Sequence, residues 1–261
     1  MSEQPTLKFD FQQLHQPRSL THPGWQIRLS DLVLFALVFV GWCFAVELFL
    51  PQAAYGADAI DVFEQSVRRD IMVEFVSFTA ALVGLWGLVR ARELPNAATG
   101  INWPSRWLLI ATPILTVLFS MLFSTLLALA FNEVSTPGYV EYVRAFRTAR
   151  QSDPTSLILF FLTVVVVKPI VVNWVFRGWL FNWLRVRTSF WTTAIAVTGI
   201  YVASQYFLLD SMTSEGQFSA AVWFVLYYAA MGLVFSALAE FGRSIWPAAL
   251  MHGLYVYLLI S

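Results

Sequence analysis

The sequence has few charged residues for its length. Of its 261 residues, 12% are charged and 58% are hydrophobic, whereas soluble domains have about 25% charged and about 45–50% apolar residues. Sixteen Lys and Arg residues balance sixteen Asp and Glu residues, so no excess of positive charge attracts a polyanion. These values exclude a disordered chain, a nucleic-acid-binding protein and an ordinary cytosolic enzyme.

The sequence contains a single cysteine. Cys43 lies in an apolar run, and one cysteine excludes both an intramolecular disulfide and a multi-cysteine metal site. The sequence also has no H-E-x-x-H zinc motif and no G-x-S-x-G nucleophile motif. We therefore predict neither a metal nor another cofactor.

Long apolar runs are abundant. A bilayer core of about 30 Å requires roughly 20 helical residues, and the runs predict an all-α, polytopic transmembrane helix bundle with about seven spans. Pro169 lies inside the fourth run, and we expect it to kink that helix. The runs are 32–50, 71–89, 107–131, 156–184, 190–209, 218–239 and 245–260.

The runs divide the chain into four regions. Residues 1–30 form a cytoplasmic tail, 31–132 form the N-terminal transmembrane helices, 133–155 form a surface loop and 156–261 form the core. The surface loop alternates aromatic residues with arginines. This pattern predicts either an amphipathic helix on the membrane surface or a connector helix packed on the bundle.

Basic residues in the short loops predict the orientation of the chain. Nine lie on the side of the N-terminus and five on the other side, which favours a cytoplasmic N-terminus. Seven spans then place the C-terminus outside. We predict an integral protein of a bacterial inner membrane, in contact with membrane lipid.

Several polar residues lie within the predicted spans. Such residues are costly in a bilayer and are therefore candidates for function. Asn173 and Arg177 are four residues apart and share one helix face. For each residue the alternative is a structural role, such as a hydrogen bond within the bundle. The candidates are Lys168, Asn173, Arg177, Gln205 and His252.

The segment around Arg177 resembles the first motif of the CPBP family, the intramembrane proteases that include the type II CAAX prenyl endopeptidases. That motif reads P-x-x-E-E-x-x-x-R-G, usually with Phe before Arg. The residues that match are Pro169, Phe176, Arg177 and Gly178.

Two further segments resemble the later motifs of the family in the same order. Tyr201 to Gln205 stand in place of F-x-x-x-H. His252 to Val256 stand in place of H-x-x-x-N, after a Ser-Ile-Trp-Pro-Ala entry that begins at Ser244. The resemblance covers about residues 155–260 and implies a CPBP-like core of four helices.

The resemblance also implies that most catalytic positions are replaced. Val172 and Asn173 occupy the two glutamate positions, Gln205 the second-motif His position and Val256 the Asn position, and only His252 is kept. In the family a glutamate is thought to activate water, and neither Val172 nor Asn173 can accept a proton. A catalytic zinc normally needs three protein ligands, and His252 is the only histidine in the predicted spans.

These replacements favour a catalytically inactive CPBP-like membrane protein. It would act as a binding module, assembly factor or subunit for a transmembrane protein partner. We expect Asn173, Arg177, Gln205 and His252 to converge on one polar pocket. The alternative is an active CAAX-type intramembrane endopeptidase with a rearranged site, in which Glu240 is the first candidate carboxylate. A transporter is less favoured, because no repeated halves are visible.

Overall fold

The computed structural model describes residues 14–18, 28–31, 33–37, 59–131, 146–147, 154–205 and 218–260. All regular secondary structure in these ranges is helical, which confirms the predicted all-α fold. We number the helices from residue 59 onward. They are α1 (Ala59–Ala91), α2 (Asn96–Thr99), α3 (Arg106–Phe131), α4 (Pro154–Arg185), α5 (Phe190–Ala203), α6 (Phe218–Gly242) and α7 (Trp246–Ile260).

Among the described residues, four helices are long and apolar enough to cross a membrane. The qualifying stretches are Arg69–Ala91, Arg106–Phe123, Pro154–Arg185 and Ala221–Gly242. Helix α5 has 14 residues and α7 has 15, fewer than the roughly 20 that a full crossing requires.

The count of seven spans stays a prediction. Most of the first predicted run, 32–50, lies outside the described residues. The fifth run was expected to continue to residue 209, but α5 ends at Ala203 and is followed by a turn at Ser204 and Gln205.

Helix α4 is continuous but contains two π-helical segments. Leu162–Val167 and Trp174–Leu180 are π-helical, and the α-helical segment Lys168–Asn173 lies between them. The N–H of Lys168 donates to the carbonyl of Thr163, five residues earlier. The next residue is Pro169, which has no N–H and therefore cannot form the α-helical hydrogen bond at its position. The π-helical turn lies directly before this missing bond.

The central helices pack around one another. Helix α6 contacts α5 and α7, while α7 also contacts α3 and the middle of α4. One apolar core cluster contains Met231 and Phe235 of α6 together with Ala248 and Met251 of α7. Helix α3 instead exposes large apolar side chains along most of its length, which suits contact with hydrocarbon.

The short helix α2 and the loop that follows it pack against the motif in α4. A Cβ on Gly178 would lie 2.5 Å from the carbonyl oxygen of Thr99, so only glycine allows this approach. The loop then turns at Gly100, whose φ of 74° favours glycine. The carbonyl of Gly100 accepts a hydrogen bond from the N–H of Ile245 at 2.8 Å.

The same loop fixes the start of α7. The hydroxyl of Ser244 donates to the carbonyl of Asn102 and accepts from the N–H of Trp246. The indole of Trp246 stacks on Trp103 with ring centroids 5.8 Å apart, and its Nε1 donates to the carbonyl of Ile101. The Ser-Ile-Trp entry therefore attaches α7 to this loop.

Most of the predicted surface loop, 133–155, lies outside the described residues. Within it, Phe146 and Arg147 are helical. The ring of Phe146 lies 5.8 Å from that of Phe160 in α4. This contact is the one expected of a connector helix packed on the bundle.

Candidate functional site

Asn173 and His252 meet between α4 and α7. Asn173 is fully buried, and its Nδ2 donates to the carbonyl of Pro169 at 2.8 Å. The same nitrogen lies 3.4 Å from Nδ1 of His252. An amide nitrogen only donates, so Nδ1 is the acceptor and the neutral imidazole carries its proton on Nε2. His252 therefore offers an N–H donor at Nε2.

The close approach of α7 to α4 depends on Gly253. A Cβ at this position would overlap the carbonyl oxygen of Val165. Val165 is four residues before Pro169, so its carbonyl is the one that an α-helical N–H at position 169 would bind. The approach at Gly253 brings the preceding residue, His252, beside Asn173.

Arg177 is buried one helical turn after Asn173. Its guanidinium carbon lies 4.5 Å from the ring centroid of Tyr201 and 5.2 Å from that of Phe235, contacts that attract a cation. One terminal nitrogen, Nη2, donates to the carbonyl of Gly232 at 3.4 Å. Nε and Nη1 have no hydrogen-bond partner among the described residues.

Phe235 connects Arg177 with His252. The half-buried imidazole of His252 stacks on the Phe235 ring at 5.4 Å and 28°, and Arg177 contacts the same ring. We call Asn173, Arg177 and His252 the polar cluster. The sequence predicted these three residues but not the aromatic residues around them. Phe235 lies outside the motifs, and Tyr201 was identified only as the first residue of the second motif.

Gln205 lies beyond the end of α5. Its Nε2 donates to the hydroxyl of Ser204 at 3.2 Å, and that hydroxyl donates to the carbonyl of Tyr201. Among the described residues, no hydrogen bond joins Gln205 to Asn173 or His252. Its place in a common pocket stays a prediction.

The two valines at motif positions, Val172 and Val256, differ in how far they are buried. Val172 is half-buried. Val256 is buried in a cluster with Ile71, Phe160 and Val164. Apolar packing therefore surrounds position 256, where the CPBP motif has Asn.

Glu240 is paired with two arginines. Its Oε2 lies 2.5 Å from Nη2 of Arg18 and its Oε1 lies 3.2 Å from Nε of Arg185. Glu240 is five residues beyond Phe235 in α6, about 7.5 Å along the helix axis. The carboxylate is thus held at the end of α6, away from the ring on which His252 stacks.

A further carboxylate in the described spans, that of Glu74 in α1, is also paired. Its Oε1 lies 2.8 Å from Nζ of Lys168, which joins α1 to α4 by an ion pair. Among the described residues, no three His, Cys, Asp or Glu side chains are grouped as a metal site. His252 with the neutral Asn173 does not fit a catalytic zinc, which takes three protein ligands.

Part of the chain matches a known family. Residues 154–258 match the family model described as Type II CAAX prenyl endopeptidase Rce1-like. The matched region begins with α4 and ends within α7, so it contains the whole polar cluster. Comparisons with curated proteins and with solved structures found no match. The helical core at residues 154–258 is therefore similar to the type II CAAX prenyl endopeptidase Rce1-like family.

Proposed function

We propose that the protein is a catalytically inactive member of this family that binds a transmembrane partner through the polar cluster. The hydrogen bond between Asn173 and His252 carries this proposal. Because the amide of Asn173 donates to Nδ1 of His252, the lone pair of the imidazole is engaged and Nε2 holds the proton. A general base must accept a proton near neutral pH, and the amide of Asn173 is too weakly basic to do so.

The unsatisfied atoms of the cluster support a binding role. Oδ1 of Asn173 and Nε and Nη1 of Arg177 are buried without hydrogen-bond partners among the described residues. A polar group from outside the chain would satisfy them. Interhelical hydrogen bonds in membranes contribute on the order of 0.6–2 kcal/mol each, so several together give a specific contact.

The partner reaches the cluster from the side of His252. The imidazole is half-buried, whereas Asn173 and Arg177 are fully enclosed. We propose that Gln205, also half-buried, lies at the edge of the same opening. In this role the protein serves as an assembly factor or subunit in a bacterial inner membrane, with its N-terminus in the cytoplasm.

A binding assay with defined peptides tests the proposal. We would place the purified protein in nanodiscs and add single-span peptides that carry either Asn or Leu at the depth of the cluster. Energy transfer reports binding, and mass spectrometry of the same sample reports whether the peptide is intact. We expect the Asn peptide to bind at least tenfold more tightly than the Leu peptide and to remain uncut.

Matched variants identify the residues responsible. His252→Ala should remove the preference for the Asn peptide, whereas Val222→Ala, at an exposed position of α6, should leave it unchanged. Equal binding of both peptides to the unmodified protein would overturn the proposal. Cleavage that depends on His252 would instead favour the alternative, a peptidase with a rearranged site, and Glu240 would then be substituted next.

A further inference from the structure

The two arginines of α4 have different surroundings. Arg185 is 2% exposed and is paired with Glu240, and its Nη1 also donates to the carbonyls of Gln16 and Thr188. Arg177 is 1% exposed. No carboxylate forms an ion pair with Arg177 in the described parts of the chain.

The groups around Arg177 compensate its charge only in part. The rings of Tyr201 and Phe235 attract the cation, and one carbonyl accepts a single hydrogen bond at 3.4 Å. Two of the three guanidinium nitrogens remain without an acceptor. A buried cation within a membrane span ordinarily has a counter-charge or a full set of acceptors.

The position that would supply a counter-charge within α4 holds an amide. Asn173 is four residues before Arg177, at the spacing where an acidic side chain pairs with a following arginine. Its Nδ2 is already used by the carbonyl of Pro169 and by His252. Helix α4 therefore has the spacing for an ion pair with Arg177, but position 173 holds a neutral amide and not a carboxylate.

We propose that Arg177 binds a carboxylate carried by a transmembrane segment of a partner protein. This inference rests on the proposed function and names the chemistry that the polar cluster recognises. A carboxylate supplies both the negative charge and acceptors for the unsatisfied guanidinium N–H groups. Arg177 is eight residues before the end of α4, about 12 Å along the helix axis, so the matching acid lies well inside the apolar part of the partner segment.

The test uses three single-span peptides in nanodiscs of neutral phosphatidylcholine. They carry Asp, Asn or Leu about 12 Å from the cytoplasmic end of the apolar stretch, at the expected depth of Arg177. We expect the Asp peptide to bind at least tenfold more tightly than the Asn peptide. Arg177→Gln should abolish this difference while the Asn peptide still binds better than the Leu peptide.

The outcomes separate this inference from the proposed function. Equal binding of the Asp and Asn peptides, both above the Leu peptide, overturns the carboxylate inference and leaves the binding module intact. Equal binding of all three overturns both. Loss of the Asp preference when phosphatidylglycerol replaces phosphatidylcholine shows that an anionic lipid headgroup occupies Arg177 in a charged bilayer, and this also overturns the carboxylate inference.

A second pair of variants does not depend on removing a buried arginine. Asn173→Glu provides an internal carboxylate four residues before Arg177, and Asn173→Gln is the neutral control of nearly the same size. We expect the ratio of the affinities for the Asp and Asn peptides to fall at least tenfold in Asn173→Glu. The ratio should stay unchanged in Asn173→Gln. A preference that survives fully in Asn173→Glu contradicts the assignment.

Discussion

Gly178 has a packing role that does not depend on catalysis. It directly follows Arg177, and it lets the carbonyl of Thr99 approach the surface of α4. The Phe-Arg-Gly element thus has a structural function in a chain without the motif glutamates. A sequence pattern indicates the motif but not this contact, because Thr99 lies far away in the chain.

Gly178→Ala should destabilise the protein. The added Cβ would lie 2.5 Å from the Thr99 carbonyl oxygen and 2.6 Å from Cδ1 of Trp174, and overpacking of this kind costs about 1–3 kcal/mol. The matched control is Gly199→Ala in α5, where no atom lies within 4 Å of the new Cβ. We expect the control to be neutral or stabilising by up to about 1 kcal/mol. Thermal unfolding in detergent measures both, and equal melting temperatures would contradict the contact.

The polar cluster was predictable in part at the residue scale. The spacing of Asn173 and Arg177 placed both on one face of α4, and the motif pattern indicated His252. The hydrogen bond that fixes the imidazole tautomer was not predictable, because it depends on the approach of α7 at Gly253 and on the carbonyl that Pro169 leaves without an α-helical partner.

At the scale of elements, a segment of the N-terminal tail attaches to the ends of the core helices. Leu14 packs in a cluster with Phe181 and Phe190. Arg18 pairs with Glu240 through its side chain, and its N–H donates to the carbonyl of Arg185. The sequence predicted only a cytoplasmic tail, because single Leu and Arg residues give no periodic signal that identifies a docked segment.

Glu240→Gln should loosen this attachment. The neutral side chain leaves Arg18 and the buried Arg185 without their shared carboxylate, and breaking a buried ion pair costs about 3–5 kcal/mol. We expect a lower melting temperature and faster proteolysis at residues 14–18. Glu93→Gln, at an exposed position after α1, serves as the control. An unchanged melting temperature in Glu240→Gln would show that the ion pairs do not hold the tail.

At the scale of the whole molecule, hydropathy predicted the all-α membrane fold, whereas the number of crossings stays a prediction. In the part of the chain that the structure describes, four helices have the length and composition of membrane spans. Helix α5 is shorter because it ends at Ala203, before the turn at Ser204 and Gln205. Helix α7 is shorter because it starts at Trp246, where Ser244 binds the loop after α2. Apolar composition alone does not distinguish a full crossing from a shorter helix enclosed by the bundle.

The predicted topology can be measured directly. In a Cys43→Ser background, single cysteines replace Pro5 and Ser261, and a membrane-impermeant thiol reagent is added to intact cells. The excess of basic residues predicts that the cysteine at position 5 is protected and that the one at position 261 is labelled. Disruption of the cells should expose both. Labelling of both from the same side would contradict an odd number of spans.

An endopeptidase assay tests most directly whether the helical core at residues 154–258 binds a partner without cleaving it. Unmodified protein and the His252→Ala variant, in identical nanodiscs, are incubated with prenylated and unprenylated membrane peptides, and mass spectrometry follows the peptide ends. A general base contributes roughly 10²–10⁴-fold to such a reaction, and neither Val172 nor Asn173 provides one. We predict no cleavage by either protein, whereas cleavage by the unmodified protein that disappears in His252→Ala would contradict the account.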